Sequence, residues 1–391
     1  MNRKQMLRVV AALALVVLVG CAGFQAAMGI QPNQPVGFPA GTVVYSVGRV
    51  GTDAAMWRNG ELTILPNGGS NESWANEVAV LGNDVLIAGR AGANAVYWRN
   101  GELFVLDVGD MAAGGATSIH ISGNDVFLAG WIGDSIFHPH AVYWKNGELI
   151  SLPHGPHDGG RAADASSARS IFVVNNDVFI AGDTILASGN PTIPNIPNPT
   201  LWRNGVPVAL RGVTAAGLPG ITFTGSAISV SVSGDDVYVA GRIGNVPHLW
   251  RNGQIVYLPA EARVGDGSRG ATHLNSLFAS GNNVYVAGEA HTVVAIQQPG
   301  NRNIHGLIAT WWRVGERRSR PITHLIGMQP GGRYNTTVAN SVFVLGNDVF
   351  VGGRTMGADR DFATLWVNGL RIGKPVPNGN SVINDIAVVR E

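Results

Sequence analysis

Four histidines in one short part of the chain are the residues best suited to hold a metal ion. They occur in H-P-H, residues 138–140, and in H-G-P-H-D, residues 154–158. Imidazole and carboxylate groups are ligands for Zn²⁺ and other transition metals. One hypothesis is a hydrolase or lyase whose metal site is formed by His138, His140, His154 and His157. The spacing matches no standard zinc motif, so four solvated loop histidines are the alternative.

Other catalytic signatures are missing from the sequence. It contains no G-x-S-x-G nucleophile elbow, no P-loop, no H-E-x-x-H motif and no glycine-rich dinucleotide-binding turn. Carboxylates outside turn positions are few and show no pairing along the chain. The formal net charge of +1 gives no case for a nucleic-acid partner. The sequence therefore favours a binding protein over an enzyme, and it predicts no cofactor.

A hairpin motif, W-[RK]-N-G, recurs along the chain and indicates which elements position these residues. Complete copies begin at Trp57, Trp98, Trp144, Trp202 and Trp250, and altered copies begin at Trp312 and Trp366. Asn-Gly between alternating apolar residues predicts a type I′ hairpin, because both central residues need a positive φ. Val314 replaces the Asn in the sixth copy, which predicts another turn geometry there. The period of the tryptophans predicts that they pack between repeats.

A second hairpin, with a Gly/Asn/Asp turn, precedes each later copy, so each unit is a four-stranded antiparallel meander, A-B-C-D. Residues 42–51 match strand B without its strand A, and residues 384–389 match strand A without the rest. Side by side, these two ends complete a seventh sheet. The sequence therefore predicts an all-β fold over residues 41–391: a seven-bladed β-propeller closed by pairing of the N- and C-terminal strands.

The chain resembles β-propellers as a class and no named propeller family. It lacks the G-H and W-D marks of WD40 repeats and the double glycine of kelch repeats. In a meander, the A–B and C–D turns share one face of the disc, which we call the uniform face because its turns are all tight. The B–C and D–A connections share the other, variable face, where nearly all the length variation occurs. Binding residues are often carried by variable loops on a rigid scaffold, so the variable face is the predicted functional surface.

The residue after each strand-B glycine lies at the start of this face and breaks the repeat. These positions hold Arg49, Arg90, Trp131, Asp183, Arg242, Glu289 and Arg354. The four arginines are suited to carboxylate or phosphate groups, although pairing with neighbouring acids or solvation is the more usual arrangement. Trp131 and a further tryptophan, Trp74, are candidates for stacking on a sugar ring or anchoring a partner protein. The alternative is that each packs beneath its own loop.

The N-terminal residues indicate export and lipidation. A basic stretch and an apolar run over residues 9–19 precede L-V-G-C, residues 18–21, which resembles the lipobox of bacterial lipoproteins. The resemblance implies a signal peptide over residues 1–20, lipidation of Cys21 with diacylglycerol and an N-acyl chain such as palmitate, and a tether over residues 21–40. Several acyl chains are enough for stable membrane anchoring.

The expected location and role follow from this anchor. Ala22 after the cysteine implies, by the enterobacterial sorting rule, export to the outer membrane of the bacterial cell envelope. In architecture alone, the chain resembles the lipoproteins of outer-membrane assembly. The expected function is a lipid-anchored binding or scaffold module for an envelope protein or a glycan. The competing expectation is the hydrolase or lyase with the histidine metal site, and a third is a mainly structural surface protein.

Overall fold

The computed structural model describes thirteen continuous ranges and one single residue of the chain. They are residues 37–134, 138–153, 163–186, 196–208, 210, 225–244, 246–256, 273–295, 303–314, 320–325, 327–328, 334–357, 359–372 and 380–391. The described secondary structure consists of β-strands, and no helix in these ranges is long and apolar enough to cross a membrane. The predicted signal peptide, Cys21 and most of the predicted tether lie outside the described residues.

Seven four-stranded antiparallel sheets form the blades of the molecule. Blade 1 contains β1 (Thr42–Val50), β2 (Asp53–Arg58) and β3 (Glu61–Ile64). Blade 2 contains β4 (Ser73–Leu81), β5 (Asp84–Ala91), β6 (Asn94–Arg99) and β7 (Glu102–Val105). Blade 3 contains β8 (Ala113–Ser122), β9 (Asp125–Gly133), β10 (His140–Lys145) and β11 (Glu148–Ser151). Blade 4 contains β12 (Ala163–Val174), β13 (Asp177–Leu186), β14 (Ile196–Arg203) and β15 (Val206–Val208). Blade 5 contains β16 (Gly225–Ser233), β17 (Asp236–Ile243), β18 (Val246–Arg251) and β19 (Gln254–Val256).

The remaining strands complete blades 6, 7 and 1. Blade 6 contains β20 (His273–Ser280), β21 (Asn283–Ala295), β22 (Asn303–Val314) and β23 (Arg320–Leu325), and a small two-stranded sheet, β24 (Gly327–Met328) with β25 (Tyr334–Asn335), follows it. Blade 7 contains β26 (Thr337–Leu345), β27 (Asp348–Met356), β28 (Asp361–Val367) and β29 (Leu370–Ile372). The last strand, β30 (Ser381–Arg390), is strand A of blade 1.

Ring closure occurs as the sequence predicts. Strand β30 pairs antiparallel with β1 along its whole length, from Thr42 opposite Arg390 to Val50 opposite Ser381. Each strand A also contacts the strand A of the next blade, in the order β4, β8, β12, β16, β20, β26, β30 and back to β4. The A strands are therefore innermost and surround a central axis. This confirms the seven-bladed propeller and its closure by the two ends of the domain.

The recurring Asn-Gly turn holds the uniform face together. In blade 2, the Asn100 side-chain amide donates to Asp84 Oδ1 at 2.8 Å, while Asn100 Oδ1 accepts from the Val85 amide at 2.9 Å. The C–D turn is thus bonded to the A–B turn, and the same bonds recur in blades 3, 4, 5 and 7. The motif asparagines that the structure describes have positive φ, as a type I′ turn requires. The recurring turn acids are therefore structural. The sixth turn, at residues 315–319, lies outside the described residues.

The motif tryptophan and the strand-B glycine pack together between blades. Each strand A has a β-bulge opposite the glycine, so a Cβ on that glycine would lie 1.9–2.1 Å from a carbonyl oxygen of strand A. In blade 2, a Cβ on Gly89 would also lie 2.4 Å from the Trp98 ring. The Trp98 indole is fully buried and donates to the Pro66 carbonyl of the preceding connection at 2.8 Å. A tryptophan buries a large apolar area, so these contacts stabilise the junctions between blades.

The two longest B–C insertions are partly extended hairpins and not wholly irregular loops. In blade 6, β21 and β22 stay paired as far as Ala295 opposite Asn303. In blade 4, β13 and β14 pair as far as Leu186 opposite Ile196. Extending both strands satisfies backbone hydrogen bonds that a loop of this length would leave to solvent. The variable face therefore carries two protruding hairpins.

Candidate functional site

A cavity of about 470 Å³ opens on the variable face and is shared by four consecutive blades. Four of the seven predicted positions line it: Arg90 in blade 2, Trp131 in blade 3, Asp183 in blade 4 and Arg242 in blade 5. Arg169, which the sequence analysis did not single out, lines it as well. Volumes of this size are typical of small-molecule sites. The propeller thus brings together residues that lie more than a hundred positions apart.

Arg169 and Asp183 form an ion pair within blade 4. The Arg169 Nε lies 2.6 Å from Asp183 Oδ2, and the Asp183 side chain is 5% exposed while that of Arg169 is 46% exposed. The buried carboxylate therefore holds a guanidinium that still faces solvent. A charge-assisted pair with one buried partner is stronger than a fully exposed pair.

The second carboxylate oxygen of Asp183 is incompletely hydrogen-bonded. Asp183 Oδ1 is buried and accepts no well-aligned hydrogen bond from any residue that the structure describes. Burial raises the pKa of Asp183, and the charge of Arg169 opposes that rise, as do hydrogen bonds from the Ser226 hydroxyl and the Ala227 amide to the carboxyl group. An acceptor left without a donor in a buried position costs roughly 1–3 kcal/mol. Asp183 is thus a buried acceptor at the wall of the cavity whose hydrogen bonding to the described residues is incomplete.

Trp131 is half-buried, and its indole lies over a glycine of the neighbouring strand A. A Cβ on Gly115 would lie 2.9 Å from Trp131 Nε1 and 3.5 Å from Arg90 Cδ. Glycine at position 115 therefore lets the indole and the Arg90 chain approach the innermost strand. Trp131 faces the cavity from this position.

The change Gly115→Ala tests this packing. Alanine normally suits a strand better than glycine by about 0.5–1 kcal/mol, but here its methyl group meets the indole, and overpacking of this kind costs roughly 1–3 kcal/mol. We expect Gly115→Ala to destabilise the protein in denaturant unfolding and to stabilise it once Trp131 is replaced by Ala. The same sign of effect in both backgrounds would contradict the packing described for Trp131.

Arg49, Arg90 and Trp74 form a cluster of their own beside the cavity. The Arg49 and Arg90 guanidinium carbons lie 4.4 Å and 4.2 Å from the Trp74 ring centroid. Glu72 lies within ion-pair distance of both, at 3.8 Å from Arg49 and 3.5 Å from Arg90. The charges of these arginines are therefore shared with Glu72, and the Trp74 ring is occupied by two guanidinium groups.

The remaining predicted positions are placed differently. The structure places neither Arg354 nor Glu289 among the residues that line the cavity. Arg354 pairs with Asp361 at 2.8 Å, and Glu289 lies opposite His273 in blade 6. In contrast, Arg242 lines the cavity and makes no ion pair with a residue in the described ranges. Arg242 is thus a half-buried cation at the cavity that is within ion-pair distance of no acid in the described ranges.

The histidine hypothesis is tested only in part. His138 is exposed, and His140 is half-buried at the start of β10 with an interaction of its own. His154 and His157 lie outside the described residues. Within the part of the chain that the structure describes, no three His, Cys, Asp or Glu side chains are grouped as metal ligands. The metal site therefore stays a prediction.

Arg169 occupies the bulge position of strand A, which recurs once in each blade and forms a column of equivalent residues around the ring. The bulged residue of each strand A is Asn76, Thr117, Arg169, Ile228, Asn275, Asn340 or Asn384. The Asn and Thr side chains donate to a carbonyl of the next strand A at 2.8–2.9 Å. Arg169 instead turns to Asp183, and Ile228 has no donor. The hydrogen-bonded belt around the axis is therefore open at blades 4 and 5, where the cavity lies.

A second feature that the sequence analysis missed is a pair of carboxyl groups on the innermost strands. In five blades, the residue after the bulge is Ser118, Ser170, Ser229, Ser276 or Ser341. Four of these hydroxyls accept from an amide of the next blade. Glu77 and Asp385 occupy this column in the two adjoining blades 2 and 1. Glu77 accepts from the Ile119 amide and Asp385 from the Val78 amide, each at 3.0 Å.

Both carboxyl groups are enclosed, although neither residue is buried over its whole surface. Burial raises the pKa of Glu77 to about 8, and the nearby charge of Asp385 adds to that rise. Burial also raises the pKa of Asp385 to about 6, against the hydrogen bonds from Ser341 and the Val78 amide. The two groups therefore make the closing junction sensitive to pH.

Comparisons with known proteins give likenesses to solved structures only. No protein-family model matches the sequence, and no curated protein matches it. The computationally designed protein Ika8 is 13% identical, with a TM-score of 0.42 and coverage of 89% of this chain and 87% of that one. A candidate 6-phosphogluconolactonase from Bacteroides uniformis is 12% identical, with a TM-score of 0.40 and coverage of 89% and 100%. The extracellular domain of BT4673 from B. thetaiotaomicron is 9% identical, with a TM-score of 0.28 and coverage of 85% and 52%.

Proposed function

We propose that this protein is a lipid-anchored β-propeller of the bacterial cell envelope that binds a protein or a glycan at the cavity on its variable face. The observation that carries the proposal is the place where the repeats differ. The residues that recur in every blade are explained by turns and packing. Trp131, Arg169 and Asp183 differ in type from the residues at the equivalent positions of the other blades, and all three line one cavity. Residues that break the repeat pattern and lie close together in the structure are expected at a binding site.

The uniform face offers a useful contrast. It carries a cavity of similar volume, about 450 Å³, between blades 4 and 5. There Arg203 pairs with Asp177 at 2.5 Å, and Asn204 donates to the same carboxylate at 2.7 Å. These charges neutralise each other within the repeat pattern. The variable face is better suited to a ligand of opposite charge, because Arg242 makes no ion pair with any residue that the structure describes.

The membrane anchor in this proposal is supported by the sequence. The basic stretch, the apolar run and the L-V-G-C box favour lipidation at Cys21, and the residues after it are long enough to act as a tether. An anchored propeller meets its partner within the envelope, and Ala22 favours the outer membrane. Metabolic labelling with a palmitate analogue, lost in Cys21→Ala, is the expected result for the anchor.

Partner capture from intact cells tests the binding face. We expect the double variant Trp131→Ala/Arg242→Gln to capture at least about tenfold less of the partner than the wild type, since an aromatic anchor and a charged hydrogen bond each contribute about 1.5–3 kcal/mol. Arg203→Gln, on the uniform face of blade 4, is the matched control and should capture as the wild type does. Equal capture by the double variant and the wild type would refute the proposed face.

A further inference from the structure

The charges around the cavity match a ligand with a single negative charge. Arg169 and Arg242 supply two positive charges and Asp183 one negative charge at the rim and wall. The adjoining cluster of Arg49, Arg90 and Glu72 keeps one further positive charge, because the single carboxylate of Glu72 is shared by both arginines at 3.8 Å and 3.5 Å. Arg169, Arg242 and Asp183 together carry a charge of +1 at the centre of the site, and the adjoining cluster makes its surroundings positive as well. A carboxylate satisfies the central charge, whereas a phosphate dianion would add repulsion against Asp183.

The ligand must also donate a hydrogen bond close to its anionic group. Within the described ranges, Asp183 Oδ1 is a buried acceptor without a well-aligned hydrogen bond, although the Ser226 hydroxyl and the Ala227 amide lie near the carboxyl group, and Asp183 Oδ2 is bonded to Arg169 at 2.6 Å. A hydroxyl group within one or two bonds of a carboxylate reaches both Asp183 Oδ1 and the guanidinium. A simple carboxylic acid lacks that donor, and a neutral sugar lacks the charge.

The third requirement is an apolar surface of moderate size. Trp131 is half-buried and presents part of its indole to the cavity, where Gly115 allows it to lie close to the innermost strand. The C–H face of a pyranose ring packs well against a flat aromatic ring. A cavity of about 470 Å³ has room for one or two sugar residues.

We infer that the cavity binds a sugar that carries one carboxylate, a hexuronate residue of an acidic glycan. Arg242 and Arg169 hold the carboxylate, Asp183 Oδ1 accepts a ring hydroxyl, and Trp131 stacks on the C–H face. This inference rests on the function proposed above and names the ligand class of the same site. An acidic peptide offers the carboxylate but lacks a hydroxyl fixed beside it and a rigid C–H face.

Calorimetric titration of the full-length protein in detergent tests the inference. The probes are digalacturonate and an unsaturated hyaluronan disaccharide, which carry hexuronate groups, and the neutral disaccharide galactobiose. We expect saturable binding of at least one hexuronate probe and at least about tenfold weaker binding of galactobiose, since a charge-assisted contact is lost. Arg242→Gln and Trp131→Ala should each weaken hexuronate binding by about tenfold, and Arg203→Gln should leave it unchanged.

The outcomes separate this inference from the proposed function. If neither hexuronate probe binds, or galactobiose binds equally well, the ligand class is wrong. If the Arg242 and Trp131 variants still capture less of the partner, the proposed binding face is correct and its ligand is a peptide. If hexuronates bind but Arg242→Gln and Trp131→Ala have no effect, the sugar is held elsewhere and the inference is overturned. Asp183→Asn removes the one negative charge that lines the cavity and should increase the preference for hexuronate over methyl-blocked hexuronate, and a decreased preference would overturn the placement of the ligand carboxylate beside Asp183.

Discussion

Removal of residues 381–391 is expected to abolish cooperative unfolding of the propeller. The deletion takes away β30, which pairs with β1 and contacts the innermost strands of both neighbouring blades. It removes the buried side chains Ile383, Ile386 and Val388 from the core between blades 7 and 1. Each contributes about 1.5–3 kcal/mol of apolar burial, and β1 loses the hydrogen bonds of one edge. The sum is comparable to the whole stability of a typical domain.

Thermal unfolding of the full-length and truncated proteins measures this effect. Deletion of Glu391 alone is the control, because that residue is exposed and its described contacts are an ion pair with an exposed Arg58 and one backbone hydrogen bond to the Gly41 carbonyl at 3.2 Å. A synthetic peptide of residues 380–391 is expected to restore a cooperative transition when it is added in excess. A truncated protein that unfolds at the wild-type temperature would show that the ring does not depend on this pairing.

The folded protein is expected to lose stability as the pH rises from about 4.5 to about 8.5. In the unfolded chain, Glu77 and Asp385 release their protons near their ordinary pKa values, whereas in the folded chain burial raises these pKa values to about 8 and about 6. Between those limits, the folded state holds more protons than the unfolded state. The stabilisation is thus complete below the ordinary pKa and is lost as the pH passes through the folded pKa. The loss is on the order of a few kcal/mol.

Denaturant unfolding at several pH values measures this slope, and Glu77→Gln with Asp385→Asn is expected to flatten most of it. Both replacements keep a side-chain carbonyl that can accept from Ile119 and Val78. Burial also raises the pKa of Asp183, which therefore contributes a smaller pH dependence of the same sign. Partial burial lowers the pKa of the half-buried His120, which contributes with the opposite sign below about pH 6.5.

Asp84→Asn is the matched control for this pH series. Hydrogen bonds from Arg99 and Asn100 lower the pKa of Asp84, so its contribution is lost only as the pH falls below the ordinary range. Its replacement should leave the slope between pH 5 and 8.5 unchanged. An unchanged slope in the Glu77/Asp385 double variant would contradict the assignment of raised pKa values to this pair.

The fold was largely predictable from the sequence because its signals are local and repeated. Asn-Gly turns need positive φ at both residues, and Asn100 and its equivalents have it. Ring closure followed from the two incomplete units at the ends, since residues 42–51 and 384–389 complement each other as strands B and A. The hairpin extensions of blades 4 and 6 were not expected, because length variation alone does not distinguish a loop from a longer hairpin.

The candidate site was predictable only in part, since its partners meet through the ring. The repeat singled out Trp131, Asp183 and Arg242, but nothing in the spacing shows that these three share a cavity while Glu289 and Arg354 lie elsewhere. Arg169, Glu77 and Asp385 were missed, although each differs in type from the residues at the equivalent strand-A position in most other blades. The Glu77–Asp385 pair depends on closure, so residues far apart in the sequence become neighbours only after the ring forms.

Site-specific photocrosslinking in living cells tests the central claim most directly, namely that the closed ring presents one binding cavity on its variable face. Benzoylphenylalanine is placed at Pro197, which lines this cavity, or at Val208, which lines the cavity on the uniform face. The account predicts a defined adduct from position 197 that disappears with Trp131→Ala/Arg242→Gln, and none from position 208. An adduct from position 208 alone would place recognition on the opposite face and contradict the account.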